Sequence, residues 1–540
     1  MAMEVEEAAS SAHSASLLSS SRNLELLLLF VMLVLYLVQT SRLHLYQRRT
    51  PLPPGLVPWP IVGNLPEMML NKPAFRWIHH VMMRMDSDIA CFKLGRVHVI
   101  SITCPKIAQE VLKKQDANFV SRPLTFASKI ISNDYKDAVL SPYGDQSKKM
   151  RHVFTSEIIC PSRHKQLHDK RAEEADNLTR YVYNLATNAG GSIDVRHIAR
   201  HYCGNVIRRL VFDKRYFGEP QADGGPGPLE VQHVDALITS LGLLYAFCVS
   251  DYLPCLLGLD IDGHEKMVRE ANEMVNRLHD TVIDERWRQW KSGERQEEPE
   301  DFLDVLVSLK DAQGSPLLTI EEVKALVKDI TLAAIDNPSN AVEWALAEMV
   351  NSSEVMAKAV EEMDRVVGRE RLVQESDIPQ LNYVKACIRE AFRLHPVAPF
   401  NIPHVALADT TVAGYRVPKG SHVILSRIGL GRNPRVWDDT LRFNPDRHIA
   451  EAVEVALTEN NLRFISFSTG RRGCIAASLG TAMSVMLFGR LLQGFTWTKP
   501  DRVATVDLSE SKHDTFMAKP LALCAQPRLP AHLYPAIYRL

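Results

Sequence analysis

The stretch Phe464-Ile-Ser-Phe-Ser-Thr-Gly-Arg-Arg-Gly-Cys-Ile-Ala-Ala-Ser-Leu479 constrains this chain more than any other part of it. Phe467, Gly470, Arg472 and Cys474 fall in the pattern Phe-x-x-Gly-x-Arg-x-Cys, and a small residue, Ala476, follows. Gly470 and Gly473 permit a tight loop with unusual backbone angles. The apolar run from Ile475 to Leu492 predicts a buried helix that begins just beyond the cysteine. A thiol placed there faces backbone amides and the positive end of the helix dipole, so the pattern predicts a thiolate at Cys474. A lone cysteine after a basic turn is usually structural. Four matched positions around it favour a ligand.

Composition narrows the setting. The chain has 540 residues, 46% hydrophobic and 24% charged, which is enough for a large core and excludes a disordered chain or a disulfide scaffold. The net charge of -1 argues against nucleic acid as the main partner. The nine cysteines are scattered, odd in number and without a CxxC pair, which points to a reducing compartment.

Residues 1–23 are Ser/Ala-rich with Glu4, Glu6 and Glu7 and read as a mobile leader. Leu26 to Val38 is an unbroken apolar run, and its flanks extend it to a membrane anchor over residues 24–45. Arg42, Arg48 and Arg49 follow it, which keeps the C-terminal side cytosolic. Acid before the run, base after it and the lack of a small-residue cleavage site favour a retained anchor over a signal peptide. Residues 46–66 form a basic, proline-rich hinge, stiff and extended. The catalytic domain is expected over residues 67–540.

Within it, Ile89 to Ile102 predicts a hairpin and Val412 to Leu425 short strands. Most of the rest is amphipathic helix, with loops at 219–227 and 291–300. Thr319 and Glu322 form a capping-box signature for a long helix through Met349. Inside it, Pro338 removes an amide donor and frees the carbonyl of Ala334, which predicts a bend or opening beside Asp336 and Asn337. Glu390 and Arg393 share one face of a helix that stops at Pro396.

The cysteine loop, the ExxR pair and Phe443-Asn-Pro-Asp-Arg-His448 resemble the cytochrome P-450 superfamily. The resemblance implies a mainly α fold with small β-sheets, a heme-thiolate monooxygenase fold behind an N-terminal membrane anchor. It implies heme b with Cys474 as iron ligand, a thiolate that favours O–O cleavage. Phe467, Gly470 and Ala476 would form the heme cradle, and Arg151, His404 and Arg472 would meet its propionates. Glu390, Arg393 and Arg447 would form a buried ion network. Asp336 takes the usual acidic place on the oxygen-binding helix, while Asn337 stands where most members carry a threonine. An amide cannot relay protons as a hydroxyl does, so Ser339 or water would complete that path. Ser147 replaces a tryptophan usual four residues before Arg151. No GxGxxG follows a strand, so electrons would come from NADPH through a separate flavoprotein reductase, docking on Lys148, Lys149 and Arg471.

Asn337-Pro338, His395-Pro-Val-Ala-Pro-Phe-Asn-Ile-Pro403, Pro-Asp-Arg-His and the cysteine loop further resemble the plant amino-acid N-monooxygenases, which make aldoximes for cyanogenic glucosides and related defence compounds. That implies N-hydroxylation of an L-amino acid, aromatic by preference, at the endoplasmic reticulum membrane. Arg122 would meet the substrate carboxylate, and Phe126 and Phe400 would line the pocket. The competing readings are an ordinary hydroxylase of a hydrophobic small molecule, a catalytically inactive heme-binding paralogue, and a zinc hydrolase built on His197, His201 and Cys203, which lacks the glutamate of HExxH.

Overall fold

The computed structural model describes residues 30–36, 51–188, 192–219, 221–295, 298–451 and 453–535. The expected leader lies outside the described residues, as does the expected anchor apart from 30–36. Those seven are helical, and all of them, Phe30 to Tyr36, are exposed.

The fold is mainly helical with three small sheets. The helices that carry the argument are α1 (Asp145–Val153), α2 (His168–Asn188), α3 (Val195–Phe212), α4 (Pro228–Tyr245), α5 (His264–Ser292), α6 (Ile320–Asn351), α7 (Asn382–Leu394) and α8 (Ala477–Gly494). α6 is the spine, packing against α3, α4, α7 and α8. It is apolar nearly all round because it crosses the centre of the core. Trp344 is fully buried on it, its ring stacked on His395 at 3.8 Å and its Nε1–H donating to the Thr515 carbonyl at 3.2 Å. Thr319 caps it as the sequence predicts: Oγ1 accepts from Glu322 N, and Glu322 Oε2 accepts from Thr319 N.

The predicted hairpin is β1 (Ile89–Leu94) against β2 (Val97–Ile102), antiparallel with Ile89 opposite Ile102. The remaining strands are β3 (Ile193–Asp194), β4 (His404–Val405), β5 (Thr410–Val412), β6 (Tyr415–Val417), β7 (His422–Leu425), β8 (Phe495–Thr498) and β9 (Ala522–Pro527). They form sheets of order β1-β2-β7-β4, β3-β9-β8 and β5-β6. β2 and β7 pair in parallel, with Val99 opposite His422. The register of β4 on β7, His404 opposite Val423, carries the chain from α7 across to the cysteine loop.

α6 runs on through Pro338 rather than opening there, and the side chains beside the proline bond to the helix backbone. Asn337 Nδ2 donates to the Ala333 carbonyl at 2.9 Å, and Ser339 Oγ donates to the Ile335 carbonyl at 2.8 Å. The described part of the hinge lies against the domain. Cys91 N donates to Pro54 O and Gly95 N to Val62 O, so residues from Pro51 on lie against β1, and a helix already starts at Leu65. α4, with the residues that follow to Tyr252, is the one helix among the described residues long and apolar enough to cross a membrane, and it packs against α5.

Candidate functional site

The cysteine loop is built by two glycines and a turn. Gly470 has φ +76°, and a Cβ there would collide with the Leu112 carbonyl, so the position requires glycine twice over. Gly470–Arg472 form a 3-10 turn, and Gly473 N closes it onto Gly470 O at 3.0 Å. Cys474 N then donates to Phe467 O at 2.8 Å, which fixes the thiol two residues before Ala476, the N-cap of α8. Phe467 packs edge-on to Phe392 at 6.1 Å, and a Cβ at Gly480 would press on its ring at 3.0 Å.

The Cys474 thiol is accessible yet surrounded by protein. Burial pushes it above the ordinary thiol range, and the Ala476 amide, Arg151 and Arg427 only partly oppose this. The predicted thiolate is therefore not held by amides and dipole alone. A metal ion coordinated by the sulfur would deprotonate it outright.

Cations gather around this loop. Arg472 is buried and donates to the carbonyls of Val120, Ala138 and Ser141 at 2.7, 3.3 and 2.8 Å. Arg151, from α1, donates to Gly473 O at 3.2 Å. Arg122 donates to the carbonyls of Val139, Ile402 and Pro403 at 3.2, 2.8 and 3.0 Å. These bonds run to carbonyls, not to carboxylates. Burial, then the Arg472 and Arg151 charges, push Arg122 down to about 9. Burial and Arg151 push Arg472 down to about 10. His404 is neutral: burial and the Arg122 charge hold it well below the usual range, and its Nδ1–H donates to Phe119 O at 2.6 Å. The acidic neighbour in reach, Asp137, is raised by burial and hydrogen-bonded to Asp329, which burial and Asp137 raise further, so the pair offers little compensating charge.

On α6, Ala333 is exposed and Ala334 and Asn337 are half-buried, in the middle of a mostly buried helix. Asp336 faces the other way, towards α3. It is buried, its Oδ1 has no hydrogen-bond partner, and burial raises it to about 7 against the opposing charges of Arg200 and Arg196. An accessible cysteine and cations lacking acidic partners form a donor set that fits a heme: one sulfur ligand and a dianionic edge.

Comparison with known proteins agrees. The cytochrome P450 family model matches residues 53–524. The chain belongs to the cytochrome P450 family. It is 76% identical over 555 residues to tyrosine N-monooxygenase of Sorghum bicolor, covering 99% of each chain. It is 59% identical over 487 residues to tryptophan N-monooxygenase 1 of Arabidopsis thaliana, covering 90% of each. It is 53% identical over 542 residues to valine N-monooxygenase 1 of Manihot esculenta, covering 99% of each.

In this P450, Glu390 and Arg393 of α7 are fully buried and paired twice, at 2.8 and 2.7 Å. Arg447 Nε reaches Glu390 Oε1 at 3.0 Å. Sequence reasoning missed a fourth member, His448, whose Nε2–H donates to Glu390 Oε2 at 2.7 Å while Nδ1 accepts from Arg389 Nε at 3.3 Å. That arrangement requires the neutral Nε2–H tautomer, and burial lowers His448 accordingly. Burial alone would raise Glu390, but hydrogen bonds from His448 and Arg393 outweigh it and hold the carboxylate low. The signal was adjacency: His448 follows Arg447 in one 3-10 turn.

Other expected site residues lie elsewhere. Arg122 sits with Arg151 and Arg472 rather than standing free for a substrate carboxylate, because its loop folds its donors onto the 402–403 carbonyls. Phe400 is buried in a separate apolar cluster with Trp77, Phe92 and Ile424, since its place opposite Ser426 turns it beneath the sheet. Phe126 is half-buried, with its N–H on Asp251 at 2.7 Å and Arg269 over its ring at 4.9 Å. Ser147 is buried and reciprocally bonded to Gly144, serving the start of α1 where an indole was expected. Of the expected docking cations, Lys148 is exposed beside Asp145, Lys149 is tied to Glu322 at 2.9 Å, and Arg471 pairs with Asp116 at 3.3 Å. His201 bonds the Gly224 carbonyl and Cys203 is buried, and no metal-ligating cluster of His, Cys, Asp or Glu occurs among the described residues. Arg427 was missed altogether.

Proposed function

We propose that this protein is a heme-dependent monooxygenase that N-hydroxylates an L-amino acid, L-tyrosine first among the aromatic ones, and carries it to the aldoxime. The observation that carries this reading is identity across nearly the whole length of a tyrosine N-monooxygenase. Heme b supplies dioxygen activation when bound, with electrons from NADPH passed on by a separate flavoprotein reductase. Cys474 ligates its iron. Phe467, Gly470 and Ala476 shape the cradle, while Arg122, Arg151 and Arg472 face the propionates and His404, its proton given to the Phe119 carbonyl, fixes the chain beside them. Asp336, raised to about 7, holds a proton near neutral pH just behind the exposed face of α6. Asn337 lines that face with an amide, and the Ser339 hydroxyl spends its proton on the helix.

Residues 24–45 anchor the chain in the endoplasmic reticulum membrane after the 1–23 leader, with the 46–66 hinge leading into a cytosolic catalytic domain. The exposed apolar helix at 30–36 supports this. The reductase docks on the basic face that includes exposed Lys148.

The test is product analysis of protein reconstituted with reductase and NADPH and fed each protein amino acid. Aldoxime from L-tyrosine or another amino acid supports the reading. A carbon-hydroxylated product instead indicates an ordinary hydroxylase. A thiolate-type reduced CO band without turnover indicates the inactive paralogue, the reading that Ser147 prompts.

A further inference from the structure

Four guanidiniums face the Cys474 region, and three of them are occupied. Arg122, Arg151 and Arg472 give N–H groups to backbone carbonyls. Arg427 does not. It follows β7 directly, where its backbone N–H donates to Pro399 O at 2.9 Å and the preceding Ser426 bridges to Phe400. Its guanidinium makes no hydrogen bond or ion pair with any described residue, and Nε is enclosed without a partner. The charged or polar groups it feels are the Tyr245 hydroxyl, from the last turn of α4, and Cys474. Tyr245 in turn feels Asp336 on α6. Arg427 is thus within electrostatic reach of both the cysteine loop and the end of α4.

Arg427 is half-buried, and burying its Nε–H with nothing to pair it is unfavourable unless a ligand supplies the acceptor. An amino acid brings one, an α-carboxylate on the carbon next to the nitrogen that is oxidised. We propose that Arg427 binds the α-carboxylate of the amino-acid substrate, with the Tyr245 hydroxyl beside it. This rests on the N-hydroxylase reading. The planar guanidinium suits a carboxylate better than an ammonium would, because two parallel N–H groups match its two oxygens. A hydroxylase of apolar molecules has no use for such a group in its pocket. The aldoxime product lacks the carboxylate and cannot make the contact, so the same residue separates substrate from product.

The experiment titrates L-tyrosine and tyramine, its carboxylate-free amine, into holoenzyme and follows the substrate-induced shift of the heme band. Aldoxime formation by the parent is measured first. A parent that neither binds nor oxidises amino acids fails the functional reading, and the carboxylate site falls with it. With that in place, the parent prefers L-tyrosine over tyramine, and Arg427→Gln reduces this preference at least about tenfold, as expected for a lost charge-assisted pair. Arg427→Lys, which keeps the charge, retains part of it. The reduced CO band stays thiolate-type in both. An unchanged preference in Arg427→Gln overturns the proposal, as does equal weakening of both ligands. Loss of heme from both variants also overturns it, because Arg427 would then be holding the cofactor.

Discussion

Asp336 and Asn337 are neighbours with opposite surroundings, and the difference makes each testable. Asp336 turns into the α3 interface, where burial raises it to about 7 although Arg200 and Arg196 pull the other way. A carboxyl raised on folding favours the folded state while it is protonated. Its contribution is full below the unfolded value near 3.8 and is lost as pH rises through about 7. Asp336→Asn should therefore flatten the fall in melting temperature between pH 5 and pH 8, an effect of at most about 1.4 kcal/mol per pKa unit removed. A parent and variant with parallel pH profiles would refute the buried, proton-holding Asp336. Asn337, on the open face, keeps Nδ2 on the Ala333 carbonyl. A threonine there can return its hydroxyl to the same carbonyl, so α6 should survive Asn337→Thr with its CO band intact. What changes is the loss of the amide, replaced by a hydroxyl and a methyl. The variant should bind L-tyrosine less tightly and make less aldoxime per NADPH consumed, and equal yield in the two proteins would leave Asn337 without a special role. At this scale the sequence showed residue types but not directions. Cys474, Asp336 and Arg151 were visible from spacing and resemblance. Arg122 was visible but aimed wrongly, because nothing in Ser-Arg-Pro announces which carbonyls its donors will reach. Arg427 was invisible because it lies in an apolar-looking strand end with no motif.

The elements show how such side chains are held. α6 was legible from its capping box and its apolar breadth, since both signals are local to the helix. Its continuity through Pro338 was not, because a proline reads locally as a break, whereas packing against α3, α4, α7 and α8 holds the helix in the core. The pair of Glu390 and Arg393 was legible as one face of α7. Its other half depended on how the chain from 431 to 448 wraps round, and that is tertiary. Arg393 gives Nη1 to the Gly431 and Thr440 carbonyls at 2.7 and 2.8 Å, so it fastens that wrap to the helix. Removing the carboxylate strands two arginines and a histidine in a dry place. Glu390→Ala should therefore cost about 3–5 kcal/mol and yield little holoprotein, read by the CO spectrum and thermal melting. His448→Phe, by contrast, leaves both arginines paired to Glu390 and removes one donor to it and one acceptor from Arg389 Nε. It should cost about 1–3 kcal/mol and raise the acid limit of stability, because Glu390 loses part of what holds it low. A depressed carboxylate gives its stability above its unfolded value and loses it as pH falls through the folded one. An unchanged acid midpoint in His448→Phe would place Glu390's support entirely on the arginines.

Across the whole molecule, the proline segment closes the first sheet. β1 is the edge of the order β1-β2-β7-β4, and an open edge is a template for unwanted pairing. The chain from Pro51 covers it: Cys91 N meets Pro54 O at 2.9 Å, Lys93 N meets Asn64 Oδ1 at 3.1 Å, and Gly63 bridges Leu94. Leu65 and Met68 then enter the same apolar cluster as Trp77 and Phe92. The prolines that make the segment stiff also deprive it of donors, so it caps the sheet without offering a new edge. Composition alone reads this segment as a linker, because proline density signals extension and says nothing about where an extended chain lies. The two ways of cutting the protein therefore differ. A chain beginning at Pro51 keeps every contact of this closure named above and should keep its CO band and its melting temperature. A chain beginning at Glu67 loses Leu65, worth about 2 kcal/mol by burial, and three backbone hydrogen bonds of about 1 kcal/mol each. It also exposes β1. It should melt lower, bind less heme and aggregate at concentrations where the longer chain stays monodisperse. Equal stability of the two would mean that the proline segment is a linker after all and that β1 is protected by something else.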